Sequence, residues 1–186
     1  MKILPMPARK TRAPDAAYLE RAALAYLERY ATSRANLRRV LLNKARRRAA
    51  RAGLDWDRDL EAEMVTAVTA LLDRLDNLDL IDDRRYAESK ATGLHARGRS
   101  AMAIRGALVA KGLARELVDD VLAAKFPDRD ACDLTAAQRY ARRRRFGPFR
   151  RRDDTPEHRR KDLAAMARAG FSYAIAKQVL EDDTQK

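Results

Sequence analysis

A glycine followed by an apolar residue returns three times along the chain at nearly constant intervals. Gly53-Leu54, Gly112-Leu113 and Gly170-Phe171 each follow a helix-patterned stretch, and the glycines are 59 and 58 residues apart. Glycine often ends a helix in the left-handed conformation, and the apolar residue after it can pack back on the last turn. The pattern therefore predicts three copies of one helical unit. Tandem arrays usually act through their surface and not through one catalytic cleft.

The residue types favour helix over strand throughout the chain. Only 7 Gly and 6 Pro occur among 186 residues, and no long run alternates β-branched with polar side chains. We therefore expect an all-α protein built from three tandem three-helix repeats. We expect a flexible basic arm over residues 1–14 and repeats over 15–76, 77–127 and 128–186, the last of them rich in arginine.

Two residue patterns recur among the expected repeats, and the first repeat has only one of them. A serine cap, two apolar residues one turn apart and a lysine recur with spacings of 4, 4 and 3 residues. The two sets are Ser33, Leu37, Leu41, Lys44 and Ser100, Ile104, Leu108, Lys111. Apolar residues stand 5, 9 and 10 positions after Gly112 and after Gly170, but not after Gly53. The third helix of the first repeat should therefore start later or pack differently.

The charge balance predicts an anionic partner. The chain has 40 Lys and Arg against 27 Asp and Glu, a formal net charge of +13. Such an excess indicates nucleic acid, a membrane surface or an acidic protein. A GC-rich genome would explain the preference for Arg over Lys but not the net excess. The single cysteine, Cys132, fits a reducing compartment, and no apolar run reaches the length of a bilayer span. The expected location is the cytoplasm, with no membrane contact.

No constellation of residues typical of catalysis is present in the sequence. His95 and His158 are isolated from each other, and the sequence has no metal-ligand spacing, nucleophile motif or phosphate-binding glycine loop. The acidic pairs, such as Asp82-Asp83, fit helix starts or solvated positions. We therefore expect a non-enzymatic protein with no cofactor and no metal, and a hydrolase is disfavoured.

The candidate binding residues fall into basic sets. Residues 129–161 carry a net charge of +7, more than half of the total excess. Their central run consists of Arg142, Arg143, Arg144, Arg145, Phe146, Phe149, Arg150, Arg151 and Arg152, with Gly147-Pro148 between the two rings. Guanidinium groups match phosphate or carboxylate, and exposed rings can stack on bases. Alternatively, Phe146 and Phe149 close a helix end as core residues.

Two further basic sets could continue the same surface. The first consists of Arg97, Arg99, Arg105 and Lys111, of which Arg105 and Lys111 could also be ordinary exposed helix residues. The second consists of Arg46, Arg47, Arg48 and Arg51. If the repeats stack, the three sets could align into one stripe.

The middle of the chain resembles the RecX family of recombination regulators. The residues that carry this resemblance are Leu80-Ile81-Asp82-Asp83-Arg84-Arg85-Tyr86-Ala87-Glu88, then Arg97-Gly98-Arg99-Ser100, then Ile104, Leu108 and Lys111-Gly112-Leu113. Tyr26-Leu27 with the first serine-capped pattern is similar to the family's first unit, and residues 165–173 resemble its closing unit. The resemblance covers roughly residues 16–180.

The resemblance implies both a shape and a function. It implies three three-helix units in a curved, elongated molecule that binds the RecA recombinase filament on single-stranded DNA. It also implies an inhibitor or modulator of recombinase ATPase activity, strand exchange and filament growth in DNA repair, recombination and the SOS response. We expect a monomer that contacts single-stranded DNA either directly or through the filament. A basic helical array suits such a groove, because several weak contacts on one scaffold add through effective concentration.

A stand-alone, nonspecific nucleic-acid-binding protein is the alternative. The helix–glycine–helix at Lys111-Gly112-Leu113 superficially resembles a helix-turn-helix, but Glu116, Asp119 and Asp120 on the following helix would repel phosphate. A salt titration separates the two hypotheses. A stand-alone binder should bind naked DNA with an affinity that falls steeply with salt, whereas a filament regulator should need the recombinase for binding.

Overall fold

The computed structural model describes residues 12–150 and 155–182, and this part of the chain is entirely helical. It contains nine α-helices, one short 3-10 helix and no strand, which confirms the prediction of an all-α protein. The helices are α1 (Ala16–Leu27), α2 (Arg34–Arg51), α3 (Arg58–Asn77), α4 (Asp83–Ala96), α5 (Ala101–Val109), α6 (Arg115–Lys125), α7 (Arg129–Arg144), the 3-10 helix (Gly147–Phe149), α8 (Pro156–Arg168) and α9 (Tyr173–Glu181). Most of the expected basic arm, residues 1–11, lies outside the described residues.

The chain divides after Asp82 into two compact units. The first unit packs α1, α2 and α3 around one hydrophobic cluster. Its largest fully buried side chains are those of Leu19, Leu37, Leu41, Met64, Leu72 and Leu75. The side chains of Asp15, Ser33 and Asp57 cap the three helices by accepting a backbone N–H one turn ahead.

The second unit contains two hydrophobic clusters. Helices α4, α5 and α6 enclose one cluster, built around Ile104, Leu108, Val118 and Val121. Helices α7, α8 and α9 and the 3-10 helix enclose the other, which includes Met166, Phe171 and Val179. The predicted repeat limits after residues 76 and 127 and the curved, elongated arrangement stay predictions.

Buried polar contacts join the two clusters of the second unit. The Asp133 carboxylate, 7% exposed, accepts the Ala101 N–H at 2.8 Å. The Ser100 hydroxyl donates to the Ala169 carbonyl at 2.7 Å and accepts the Ala103 N–H at 3.2 Å. Because unpaired buried polar groups are costly, these bonds fix α5 against α7 and α8.

The three glycines end helices as predicted. Gly53, Gly112 and Gly170 have φ values of +74°, +81° and +87°. In each case the next residue donates its N–H to a carbonyl five positions back, as Leu54 does to Ala49 at 3.0 Å. Helix α3 begins five residues after its glycine, whereas α6 and α9 begin three residues after theirs. This offset confirms the later start expected for the third helix of the first repeat.

Candidate functional site

Two of the predicted basic sets converge in the second unit. Arg99 in the α4–α5 loop, Arg143 and Arg144 at the end of α7, and Arg168 at the end of α8 line one open groove of about 320 Å³. The other lining residues are Gly98, Ala103, Tyr140, Ala165 and Ala169. All four arginines are exposed. The groove therefore presents four guanidinium groups on a floor that includes three alanines.

A glycine brings the α4–α5 loop against α7. Gly98 has φ +72°, and a Cβ there would lie 2.9 Å from the backbone oxygen of Ala136 and the backbone nitrogen of Tyr140. No other residue type allows this approach without a shift of α7. The approach places the Arg97 carbonyl where it accepts a hydrogen bond from the Arg143 guanidinium. Arg97 thus contributes its backbone to the position of Arg143.

Tyr140 holds two guanidinium groups of the groove in place. The Cζ atoms of Arg143 and Arg144 lie 5.6 and 5.8 Å from its ring centroid, within cation–π range. The ring itself packs against Phe146 and Phe171, with centroid distances of 6.0 and 5.8 Å. A cluster of three aromatic rings, of which Phe171 is buried and the other two are half-buried, therefore supports this wall of the groove.

Tyr140 and Arg168 are absent from the sequence-based set of site residues. The spacing of Tyr140 from Arg143 and Arg144, three and four positions on one helix, is a signal that could have identified it. Arg168 stands two residues before the helix-ending Gly170. Its signal was weak, because a base in the last turn of a helix is common.

The rings of Phe146 and Phe149 both contact the core. Each is half-buried and packs against the hydrophobic cluster of α7, α8 and α9. The Arg142 guanidinium lies over Phe149, 5.2 Å from the ring centroid. These contacts are the ones expected if Phe146 and Phe149 act as core residues at the end of a helix. Stacking of the two rings on bases stays a prediction.

The end of the arginine run has a different environment from its start. Arg150, whose side chain is 19% exposed, forms an ion pair with Asp162, which is 5% exposed. The same carboxylate accepts the Gly147 N–H at 3.1 Å. This guanidinium thus contributes to the fold around the 3-10 helix. Arg151 and Arg152 lie outside the described residues. Arg145 is exposed and ends α7 in the left-handed conformation with φ +58°.

Arg105 and Lys111 lie outside the groove. Arg105 forms a two-point contact with Asp119, with Nε–Oδ1 at 2.6 Å and Nη2–Oδ2 at 2.8 Å. This hydrogen bond raises the pKa of Arg105 and lowers the pKa of Asp119 below its ordinary value. The pair lies at a separate cavity of about 510 Å³ that Phe126 and Pro127 also line. Lys111 is exposed just after α5.

Two other kinds of site are absent from the described part of the chain. Within residues 12–150 and 155–182, no three His, Cys, Asp or Glu side chains are grouped as a metal site would require. No helix in the same ranges has the length and apolar character of a membrane span.

Comparisons with known proteins agree with the fold and with the middle motif. The family described as RecX, second three-helix domain, matches residues 82–122. The regulatory protein RecX of Myxococcus xanthus (strain DK1622) is 39% identical over 178 residues, which cover 94% of this chain and 90% of that protein. The regulatory protein RecX of Agrobacterium fabrum (strain C58 / ATCC 33970) is 34% identical over 106 residues, or 57% of this chain and 54% of that protein.

Solved structures show the same fold. A crystal structure of RecX from Lactobacillus salivarius matches with a TM-score of 0.62 and 21% identity, covering 90% of this chain and 96% of that one. A second crystal structure of a regulatory protein RecX matches with a TM-score of 0.60 and 20% identity, covering 90% and 74% of the two chains. With the near full-length relative from Myxococcus, these matches establish that the chain belongs to the RecX family of regulatory proteins.

Proposed function

We propose that this protein is a non-enzymatic regulator that binds the RecA filament on single-stranded DNA. On this proposal it inhibits or modulates ATP hydrolysis, strand exchange and filament growth by occupying the filament. Membership of the RecX family supports the regulatory role. The observation that carries the proposal is the groove with four arginines, which gives the second unit a concave, cationic docking surface.

The groove has the chemistry that a filament contact requires. Guanidinium groups form paired hydrogen bonds with carboxylates of a protein or with phosphates of DNA. Tyr140 and the Arg97 carbonyl hold Arg143 in place, so binding sacrifices less side-chain freedom than it would with unsupported arginines. A cationic groove also speeds encounter with an anionic filament at low salt.

Occupancy suffices to explain regulation without catalysis. A protein seated on a filament blocks addition of the next subunit or hinders the movement that strand exchange needs. Several modest contacts on one folded scaffold combine through effective concentration. We also propose that the protein acts as a cytoplasmic monomer, because its partner filament assembles on DNA and a single chain carries the complete groove.

ATP hydrolysis by RecA on single-stranded DNA tests the proposal. The parent protein should lower hydrolysis and co-sediment with filaments. The variant Arg99→Gln/Arg144→Gln/Arg168→Gln should lose most of both effects, because it removes three of the four groove cations. A matched control removes three exposed cations elsewhere in the same unit and should behave like the parent. It carries Lys90→Gln, Arg115→Gln and Arg160→Gln.

Two results contradict the proposal. If the parent leaves hydrolysis unchanged and does not sediment with filaments, the protein is not a filament regulator of this kind. If the groove and control variants lose the effect equally, net charge and not the groove governs binding.

A further inference from the structure

Helix α2 is twice as long as α5, the helix of the second unit that begins with the matching serine-capped pattern. Both helices begin with a serine cap, and their cap, apolar and lysine positions share the same spacing. Helix α5 has 9 residues and ends at Val109, two positions before its lysine. Helix α2 has 18 residues and continues for seven positions beyond Lys44, to Arg51. The first unit therefore carries about two additional helical turns.

The additional turns have a buried alanine face and a basic outer face. Ala45 and Ala49 are fully buried in the unit. The side chains of Lys44, Arg47, Arg48 and Arg51 stand at helical spacings of 3, 4 and 7 residues, so they share one face. Together with Tyr18 they line a cavity of about 300 Å³, called here the α2 cavity.

Contacts with α1 fix the floor of the α2 cavity. The Arg48 guanidinium lies 4.2 Å from the ring centroid of Tyr18, and its Nε donates to the Ala13 carbonyl at 3.2 Å. The Tyr18 hydroxyl donates to the Lys44 carbonyl at 3.5 Å. Arg48 is therefore held in one place, and its terminal nitrogens make no hydrogen bond to the part of the chain that the structure describes.

The positive charge of this face is not neutralised within the described residues. The adjacent Arg46 pairs with Glu61 at 3.4 Å and lies over Trp56. None of the four cations of the α2 cavity forms an ion pair with a described carboxylate. Like charges at these helix spacings repel one another and lower the stability of the helix. An anionic ligand would remove this repulsion.

We propose that the α2 cavity binds phosphate groups of single-stranded nucleic acid directly, without the recombinase. Seven residues of helix span about 10 Å. That length corresponds to about three phosphate intervals at the roughly 3.4 Å axial spacing of one duplex strand, and to fewer intervals along a more extended single strand. Arginine forks suit phosphate oxygens. The inference deepens the proposed function by assigning a nucleic-acid contact to the first unit, and it rests on that function for the choice of single-stranded DNA.

The lining of the α2 cavity favours phosphate over an acidic protein surface. Protein interfaces depend on apolar or aromatic anchors that fill desolvated pockets. Here the lining consists of four cations and Tyr18, whose ring Arg48 already covers. A backbone of regularly spaced charges needs no such anchor.

The test measures binding of the full chain to a fluorescently labelled oligothymidylate across a range of salt concentrations, with no recombinase present. Arg47→Gln/Arg48→Gln/Arg51→Gln should weaken binding at least about tenfold. It should also reduce the log–log salt slope by about 2, because each phosphate contact with a single strand contributes about 0.7. The matched control, which removes three exposed arginines of the same unit that do not line the cavity, should change affinity less than about threefold. It carries Arg21→Gln, Arg38→Gln and Arg58→Gln.

A second variant controls for the possibility that the triple substitution disrupts folding. Arg47→Gln/Arg51→Gln leaves the contacts of Arg48 with Tyr18 and Ala13 intact, and it should reduce the slope by about 1.4. Equal losses in the cavity and control variants overturn the inference, since general charge would then explain binding. Unchanged oligonucleotide binding together with lost filament binding also overturns it, because the cavity would then take an acidic protein surface.

The two proposals fail in different assays. If oligonucleotide binding is weakened by the cavity variant and not by its control, while the parent leaves recombinase hydrolysis unchanged, the α2 cavity is supported and the filament function is refuted. A parent that inhibits hydrolysis but has no measurable affinity for naked oligonucleotide refutes the α2 cavity and supports the filament function.

Discussion

Replacing Gly98 with alanine should destabilise the second unit by more than the cost of the left-handed backbone conformation alone. The residue has φ +72°, and an L-residue in the left-handed region costs about 1–2 kcal/mol. The added Cβ would also lie 2.9 Å from two backbone atoms of α7, which cannot move aside as a flexible side chain can. Overpacking of this kind costs about 1–3 kcal/mol. We therefore expect a total loss of about 2–5 kcal/mol.

Gly53→Ala is the matched control for the backbone term. Gly53 has φ +74°, nearly the same as Gly98, but a Cβ there meets nothing within 4 Å. Its substitution should cost about 1–2 kcal/mol, from the backbone conformation alone. Urea unfolding followed by circular dichroism gives the free energy of unfolding for each variant.

The reasoning also predicts a functional difference between these two variants. Gly98→Ala pushes the α4–α5 loop away from α7 and separates the Arg97 carbonyl from Arg143, so filament binding should weaken even where the chain remains folded. Gly53→Ala should leave filament binding unchanged. If Gly98→Ala lowers the free energy of unfolding by no more than Gly53→Ala does, the α4–α5 loop is not tightly packed against α7. This account of the groove is then wrong.

Two further substitutions test the polar contacts of the second unit. Asp133→Ala removes the acceptor of the buried Ala101 N–H and should cost about 1–3 kcal/mol in urea unfolding, whereas Asp133→Asn, which keeps an acceptor oxygen, should cost less. Equal costs would show that the hydrogen bond contributes little. The Arg105 hydrogen bond lowers the pKa of Asp119 in the folded chain, so its stabilisation is complete above the ordinary pKa, about 3.9, and is lost as pH falls through the lowered value. The difference in unfolding midpoint between the parent and Asp119→Asn should therefore narrow below about pH 4, and a difference that widens there would contradict the assigned cause.

The helix ends were predictable because local chemistry determines them. Gly53, Gly112 and Gly170 end helices at positive φ, and Ser33 and Ser100 cap helices through hydrogen bonds that span three residues. Such contacts depend on neighbours within one turn, which the sequence displays directly.

The groove was only partly predictable because its assembly depends on distant residues. The sequence predicts the arginines on both sides as candidate binding residues, but the contact between Arg143 and the Arg97 carbonyl joins residues 46 positions apart. This hydrogen bond forms because Gly98 lies against α7, and no local sequence pattern predicts that tertiary contact. Arg168 reaches the same groove from a third helix.

A run of like residues does not reveal which members the fold uses. Arg144 and Arg150 are similar in the sequence, yet Arg144 is exposed in the groove and Arg150 pairs with the buried Asp162. The 3-10 helix lies between them, and Asp162 of α8 accepts hydrogen bonds from the Gly147 N–H and from the Arg150 guanidinium. Only the three-dimensional position of Asp162, 12 residues farther along the chain, separates the two roles.

Each candidate surface carries at least two of its cations on a helix that has buried alanines. Ala45 and Ala49 are fully buried beneath the α2 cavity, as is Ala141 within α7, the helix that carries Arg143 and Arg144. Alanine lets a helix lie close to its neighbours and loses no rotamer freedom on burial. The helix backbone is thereby fixed while the long basic side chains remain accessible, and an aromatic ring, Tyr18 or Tyr140, orients a guanidinium on each surface. Because the rigid part of each surface is formed on folding, less conformational entropy remains to be lost when an anionic partner binds.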